Sequence, residues 1–339
     1  MMLPPGHPLL TPVRLRKELV AEGYDDRAIR RLTRDGALHR VRHGAYVAGE
    51  RWRGLDPAGR YAVLCRAVQR QAKSRLVLSH VSALPAFDAP LWGLDTSVVH
   101  GTRLDERAGR KEAGVQQHSG LLLPGDTDEV DGLAITSAVR TCLDVTMTAR
   151  ADAAVCVVNH FLRAGLVTAD ELRARYESDA TVPRGVDAHA SRRSVGMAHW
   201  PGSLRTDLVL RIADGRCESV GESRTLHLLA VHGLPRPELQ HEVRDGSGRL
   251  VARVDFAWPD LGVFLEFDGR IKYGALAPAG ESAVDVVLRE KRREDRVREA
   301  TGWLCIRVTW ADLADPGRLA DRIRAAFSAA RAARAGRPA

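Results

Sequence analysis

The sequence has few cysteines, no long apolar runs and no recognisable N-terminal leader. The five cysteines are scattered and odd in number, and none forms a C-x-x-C pair, which argues against a disulfide framework or a zinc knuckle. The longest apolar runs, such as Val155–Val158, are far too short to span a membrane. Residues 1–10 hold prolines and no basic segment before an apolar one, so we expect no signal peptide. These absences favour a reducing cytoplasm.

The composition indicates a soluble protein and leaves its partner open. The 339 residues are enough for two or three domains, and 45% hydrophobic with 28% charged residues allows a packed core. A formal net charge of +8 favours a polyanionic partner such as DNA. However, the basic residues are mostly arginine and the chain is rich in alanine and glycine. High genomic GC content would produce that bias without any nucleic acid partner.

A short helix pair followed by a basic hairpin is predicted in residues 1–54. Thr11–Pro12 predicts the start of a helix that runs to Ala21, and Asp25 predicts the cap of a second helix. Alternating strand patterns then flank a turn. This order is typical of a winged helix-turn-helix, in which one helix enters the major groove and the wing contacts phosphate. The expected DNA-binding residues are Arg27, Arg30, Arg31, Arg34, Arg40, Arg42 and His43.

The alternative for the four helical arginines is an ordinary solvated helix face, opposite the apolar side formed by Ala28, Ile29 and Leu32. The string from Ile29 to Val47, with its Arg42-His43-Gly44-Ala45-Tyr46 wing, resembles the N-terminal domain of AbiEi-type antitoxins. This resemblance implies a winged helix. It leaves open whether the chain represses a promoter or neutralises a toxin, and it adds a toxin or defence-system protein to the expected partners.

The next two segments carry less information. Residues 55–176 mix helical and strand patterns and predict a mixed α/β middle domain. Its Ser79-His80-Val81-Ser82-Ala83 string resembles the segment that often follows this wing in actinobacterial proteins, with no chemistry attached. We interpret His80 and His100 as structural residues rather than ligands. Residues 177–202 are polar and irregular and predict a linker.

Residues 203–333 predict a second α/β domain with acidic residues on two neighbouring strands. In the strand pattern around Asp255 the acid alternates with Val254 and Phe256, and in the next strand Glu266 and Asp268 alternate with apolar residues. Three carboxylates would therefore share one surface and repel one another. A divalent cation such as Mg²⁺ or Mn²⁺, bound by Asp255, Glu266 and Asp268, would resolve that conflict.

These strands resemble the PD-(D/E)XK nuclease core, which implies a restriction-endonuclease-like fold. The resemblance assigns Asp255 and Glu266 to the two strand acids and Glu222 to the acid on the preceding helix, with Glu218 as a weaker substitute. For Glu222 a capping box with Ser219 is an equally good interpretation. The pattern expects a lysine two residues after Glu266, where this sequence has Asp268.

The missing lysine could be replaced from elsewhere in the chain. Lys272 follows the strand, and Lys291 lies on a predicted helix where we expect Lys291 and Arg293 to face the site. Residues 217–327 also resemble bacterial domains similar to the very-short-patch mismatch repair endonuclease. In that family Glu-x-Asp-Gly is normal, so Asp268 need not mean lost activity.

The sequence thus favours a cytoplasmic, metal-dependent phosphodiesterase that acts on DNA. Two alternatives stay open. The chain could be a non-enzymatic DNA-binding regulator whose nuclease core is a scaffold, or a toxin–antitoxin or phage-defence component that acts with a partner protein.

Overall fold

The computed structural model describes residues 2–72, 75–104, 109, 111–178, 181–183, 192–194, 196–269 and 293–335. The chain divides into two compact units, Met1–Leu210 and Arg211–Ala339. Both contain helices and sheets, which confirms the predicted mixed α/β class. Across the described ranges, no helix is both long and apolar enough to cross a membrane. The five cysteines, all among the described residues, form no disulfide.

Unit 1 begins with two helices and a three-stranded antiparallel sheet of order β1-β3-β2. Asp25 caps the second helix by accepting a hydrogen bond from the Ala28 amide at 2.7 Å, as predicted. The elements are β1 (Arg14–Leu15), α1 (Arg16–Ala21), α2 (Asp26–Arg34), β2 (Leu38–Arg42) and β3 (Ala45–Ala48).

The predicted helix start at Thr11–Pro12 is wrong, because the helix begins only at Arg16. Val13 and Leu15 are buried while Arg14 between them is half-buried, and this period of two fits a strand. The strand β1 pairs with β3 at Arg14↔Tyr46. Burying two alternate apolar side chains against the wing outweighs the local helix signal of the threonine–proline pair.

The remainder of unit 1 is a six-stranded mixed sheet of order β6-β7-β5-β4-β9-β8, accompanied by helices. Val63 and Ala67 of the first long helix share a core cluster with Val13, Ala45 and Val47 of the N-terminal module. The elements are α3 (Gly49–Arg53), α4 (Pro57–Gln71), β4 (Leu76–Leu78), β5 (Val99–Arg103), β6 (Lys111–Glu112), β7 (Val115–Ser119), β8 (Thr127–Val130), β9 (Leu133–Thr136), α5 (Ala138–Thr148), α6 (Ala151–Arg163) and α7 (Ala169–Tyr176).

The segment predicted as a linker contains a strand pair, β10 (Thr181–Pro183) with β11 (Arg192–Ser194). It is followed by α8 (Ser203–Ile212), in which the division between the two units falls. Residues 177–202 are therefore not wholly irregular.

A buried polar network lies at the centre of unit 1. Arg140, which is only 1% exposed, donates hydrogen bonds to Asp144 at 2.8 Å and to Asp126 at 3.0 Å. Next to it, the ring of His80 stacks on that of His118 with centroids 3.8 Å apart. Burial lowers the pKa of His80 well below its usual value and that of His118 to about 3. Both rings are thus kept neutral beside a buried arginine.

Unit 2 is built on a four-stranded sheet of order β12-β13-β14-β15, in which only the last pairing is parallel. Among the described residues, its main helices are α9 (Val220–Val231), the helical residues 293–301, and α10 (Pro316–Ala335), whose Leu319, Ile323 and Phe327 are buried. The strands are β12 (Glu238–Arg244), β13 (Leu250–Trp258), β14 (Val263–Asp268) and β15 (Leu304–Thr309).

Candidate active site

The register of the unit 2 sheet aligns polar residues from its four strands. Phe256 of β13 pairs with Leu265 of β14, so the preceding residue, Asp255, lies opposite Glu266. Phe256 also pairs with Leu239 of β12, so Asp255 lies opposite Gln240 on its other side. Glu266 pairs in turn with Arg307. Residues directly opposite in a sheet point to the same face. We call this row, Gln240, Asp255, Glu266 and Arg307, the polar row.

The helix α9 brings a third carboxylate to the polar row. Glu222 accepts a hydrogen bond from Nε2 of Gln240 at 2.9 Å. Its helix approaches the strands closely, because Gly221 packs on Phe267 and a Cβ at that position would lie only 1.9 Å from the phenylalanine ring. Residue 221 must therefore be glycine for α9 to approach this far.

Glu222 has hydrogen bonds at the start of α9 and also lies near a strand acid. Its carboxylate accepts hydrogen bonds from the Glu218 amide and the Ser219 hydroxyl, both at 2.8 Å, while Ser219 accepts from the Glu222 amide. Glu222 thus stabilises the start of α9 and also lies near Asp255. Glu218, the weaker candidate, forms an ion pair with Arg253 at 2.8 Å.

The three acids have raised pKa values. The pKa of Asp255 rises to about 6, first because the carboxylate is buried and next because Glu222 is nearby. Burial also raises the pKa of Glu222 and that of Glu266. Clustered acids with perturbed pKa values are common at catalytic and metal-binding sites, although structural ion pairs produce them too.

Arg293 opposes this negative charge. Its Nη2 donates a 2.6 Å hydrogen bond to Oε1 of Glu266. Its positive charge offsets part of the rise in the pKa of Glu266 and of Asp255. The next residue on the same helix, Glu294, binds Arg307 at 2.9 Å. The predicted orientation of Arg293 towards the site therefore agrees with its observed contact. Lys272 and Lys291, the two lysines proposed from the sequence, lie outside the described residues.

Asp268 follows Glu266 by two positions on β14, so strand alternation points it to the same face. The acid with the largest effect on the pKa of Asp255 is nevertheless Glu222. Within the described ranges, no set of three or more histidine, cysteine, aspartate or glutamate side chains is arranged to hold a metal ion by itself. Asp255 lies between the other two acids, since its charge interacts with that of Glu222 and with that of Glu266.

Comparison with known proteins gives two full-length relatives in Mycobacterium tuberculosis. Over 308 residues the chain is 30% identical to uncharacterized protein Rv2248 of strain ATCC 25618 / H37Rv, covering 88% of this chain and 96% of the relative. The values for uncharacterized protein MT2308 of strain CDC 1551 / Oshkosh are the same. The chain belongs to the family of these two mycobacterial proteins. The Rv2248-like family shares both units, since the match is longer than either one. No protein-family model matches the sequence.

The N-terminal residues expected to bind DNA are arranged differently on α2 and on the wing. Ile29 is buried, while the arginines on the other side of α2 are exposed. In the wing, His43 is exposed, but Arg42 is half-buried and donates a hydrogen bond to the Ala113 carbonyl at 3.2 Å. The wing tip is thus attached to the β6–β7 turn. The exposed positions in this Rv2248-like chain are Arg27, Arg30, Arg31, Arg34, Arg40 and His43.

The basic C-terminal helix uses several arginines within the protein. Arg334 donates to the Pro259 carbonyl at 2.9 Å, Arg324 to the His232 carbonyl at 2.7 Å and Arg322 to the Arg307 carbonyl at 2.8 Å. These guanidinium groups tie α10 to the loops and strand beside it, so the charge of this helix serves the packing of unit 2.

Proposed function

We propose that this protein binds DNA and that its second unit hydrolyses phosphodiester bonds in the DNA with the help of Mg²⁺ or Mn²⁺. The observation that carries the proposal is the convergence of Glu222, Asp255 and Glu266 from α9, β13 and β14. Three carboxylates with raised pKa values, beside an arginine, form a place where a cation and a phosphate can meet.

The residues of the polar row fit a hard divalent cation. Mg²⁺ is usually held by one or two carboxylates, with water and substrate phosphate completing its octahedron. Asp255 and Glu266 supply two such ligands from adjacent strands, so a third protein ligand is not required. Asp268 stays a candidate third ligand on the same face. When bound, the metal would lower the pKa of a coordinated water and neutralise charge on the phosphate.

In the proposed reaction, the oxygen of a water molecule bonds to phosphorus while the bond from phosphorus to one sugar oxygen breaks. The proton released by the water ends on the departing sugar oxygen, so the products are a phosphomonoester and an alcohol. Gln240 and Ser219 hold Glu222, and the Phe267 amide holds Asp255 at 2.8 Å. These hydrogen bonds fix the acids before substrate binds, which lowers the cost of reorganisation.

The exposed arginines of α2 support the DNA-binding part of the proposal. The order of α1, α2 and the β2–β3 hairpin supports a winged helix, in which α2 would lie in the major groove. Arg27, Arg30, Arg31 and Arg34 would contact phosphates or base edges there. We place this activity in the cytoplasm.

Nicking of supercoiled plasmid by the purified full chain tests the proposal. We expect nicking with Mg²⁺ or Mn²⁺ that disappears in Asp255→Asn and in Glu266→Gln. Glu299→Gln is the matched control, because Glu299 is an exposed acid on the neighbouring helix. Nicking that survives in both site variants, or that EDTA does not stop, would remove the carboxylates from the reaction.

A second candidate is a DNA-binding regulator or antitoxin-like protein without enzymatic activity. The ion pair between Arg293 and Glu266 favours it, because the arginine already neutralises one of the expected metal ligands. In this role a toxin or defence-system protein is the expected partner. Undiminished DNA binding by Asp255→Asn and Glu266→Gln, with no cleavage by the unaltered protein under any metal, would decide for this candidate.

A further inference from the structure

Gln240 has an unusual backbone conformation for its place in the fold. It lies inside the strand β12, yet its φ is 52°, in the left-handed region. Residues with a Cβ rarely adopt this conformation, because the Cβ then crowds the following carbonyl oxygen. Such strain persists only where the surrounding structure imposes it, and it is concentrated at functional sites.

The pairing of β12 with β13 does not account for this conformation. The residues on either side of Gln240 pair in one continuous register, as Leu239↔Phe256 and His241↔Val254 show. The register shift of this ladder lies further along the strand. The strained residue is therefore not a by-product of a bulge, in which an extra residue would have to be accommodated.

The side chain of Gln240 joins the sheet to α9. Its Nε2 donates a hydrogen bond to Glu222 at 2.9 Å. The other donors to this carboxylate are the Glu218 amide and the Ser219 hydroxyl, which belong to the start of α9 itself. Among the described residues, Gln240 is thus the one hydrogen-bond donor that ties Glu222 to the sheet.

The acid that Gln240 holds lies close to a second acid. The charge of Glu222 raises the pKa of Asp255, so the two carboxylates are near neighbours that repel each other. A side chain on the first turn of a helix can rotate away from a like charge. A donor fixed on the sheet, opposite Asp255, opposes that rotation.

We propose that Gln240 is a positioning residue, whose strained backbone directs its side-chain amide to Glu222 and thereby keeps this acid beside Asp255 for the reaction. The proposal rests on the proposed function, because it needs a reaction whose rate depends on these acids. It goes beyond the hydrogen bond itself, since it states that the sheet loses stability at residue 240 in favour of the position of Glu222.

Two substitutions of Gln240 separate the strain from the hydrogen bond. Gln240→Ala removes the amide and keeps the strain, whereas Gln240→Gly removes both, because glycine adopts a positive φ freely. Glu242→Ala and Glu242→Gly are the matched controls, at an exposed residue of the same strand that lies outside the left-handed region. Urea unfolding of the full chain gives the midpoints, and plasmid nicking with Mn²⁺ gives kcat and the KM for DNA.

We expect the order of stability to be reversed between the two positions. At residue 242 alanine should give the higher urea midpoint, as is usual inside a strand. At residue 240 glycine should give the higher midpoint, because it relieves the strain.

Both variants of Gln240 should nevertheless lower kcat by roughly 10- to 100-fold, the usual effect of removing a hydrogen-bond partner behind a metal site. The KM for the plasmid should not change, since Gln240 holds an acid and not the DNA. Gln240→Gly would then be the more stable of the two variants and still be slow, which a merely structural role cannot produce.

Other results would overturn the proposal in distinguishable ways. If Gln240→Gly nicks at the rate of the unaltered protein while Gln240→Ala is slow, the rate follows stability and Gln240 is structural. If alanine gives the higher midpoint at both positions, residue 240 carries no strain. If both variants of Gln240 keep full, metal-dependent nicking, the proposed function stands and Gln240 has no part in it. If the unaltered protein nicks with neither Mg²⁺ nor Mn²⁺, the proposed function fails and this inference falls with it.

Discussion

The carboxylate of Asp255 accepts a hydrogen bond from the backbone amide of Phe267 at 2.8 Å. The backbone pairing of β13 with β14 ends at Phe256↔Leu265. Beyond that pair, the Asp255 side chain accepts the hydrogen bond of the Phe267 amide of β14. One group therefore completes the sheet and belongs to the candidate active site. This double use allows the two contributions to be separated by mutation.

We predict that Asp255→Asn keeps the fold and loses nicking, because an amide oxygen can still accept from the Phe267 amide but binds metal poorly. Asp255→Ala should also be inactive, and it should lose about 1–3 kcal/mol of unfolding free energy because the amide is left without an acceptor. Urea unfolding of both variants measures the difference. Equal stability of the two would show that the hydrogen bond contributes little.

Replacing Arg30 and Arg31 of α2 with alanine should weaken binding to duplex DNA and flatten its salt dependence. Each lost phosphate contact lowers the slope of log K against log salt concentration by roughly 0.9. The matched control is Arg173→Ala with Arg331→Ala, which removes the same charge from exposed positions elsewhere. Fluorescence anisotropy at several salt concentrations gives the slopes. Identical slopes in the two double variants would exclude α2 from the DNA interface.

The buried ion pairs of unit 1 should be costly to break. Arg140→Met would leave Asp144 buried without its arginine, while Asp126 would keep Arg175, and a loss of roughly 3–5 kcal/mol is expected. Arg150→Met, which breaks a pair with Asp152 in which the arginine is 81% exposed, should cost less than about 1 kcal/mol. Thermal or urea unfolding compares them. A similar loss in both variants would contradict this account of the network.

The stability of unit 1 should fall in mild acid. Burial lowers the pKa of His80, His100 and His118 from the ordinary value of 6.5. The folded state therefore binds fewer protons than the unfolded state, and the stability these rings contribute is present above pH 6.5 and lost as the pH falls towards their folded values. Burial raises the pKa of Asp144, so the folded state binds more protons there than the unfolded state. Between pH 3.8 and its folded pKa, Asp144 therefore contributes more stability as the pH falls.

Urea unfolding as a function of pH measures this loss. In His118→Gln, which lacks this one imidazole, the curve should be flatter, since burial lowers the pKa of His118 to about 3. The exposed His43 in the wing provides the control: His43→Gln should leave the curve unchanged. A curve that is flat below pH 6.5 in the unaltered protein would refute the prediction.

Gly221→Ala should damage the site without touching any acid. The added Cβ would lie 1.9 Å from the ring of Phe267, so either this ring or α9 must move, and an outward shift of α9 would carry Glu222 away from Gln240. We expect a loss of roughly 1–3 kcal/mol of unfolding free energy from overpacking and a matching loss of nicking. Gly246→Ala, at a glycine with open space around it and no positive φ, controls for a general effect of alanine. Full activity in Gly221→Ala would show that α9 need not lie so close.

Strong local patterns in the sequence allowed most of unit 2 to be predicted. Alternating apolar and acidic residues predicted the two neighbouring strands β13 and β14 and placed Glu266 and Asp268 on one face. The N-cap Ser219 likewise fixed the start of α9. These features depend on neighbours within a few residues, which the sequence displays directly.

What escaped prediction depends on contacts between distant parts of the chain. The sequence could not show that β1 would pair with β3, and so the helix start was placed too early. Nor could it show that Gln240, in a left-handed backbone conformation with φ of 52°, would face Asp255 and bind Glu222. The polar row follows from strand register, which is set by the whole sheet.

That dependence on register has a consequence for folding. A slip of one residue between β13 and β14 would turn one strand over relative to the other, so that Asp255 and Glu266 would no longer share a face. The same slip would separate the apolar side chains that β13 and β14 pack together. Selection for a well-packed sheet would then also preserve the alignment of these two acids.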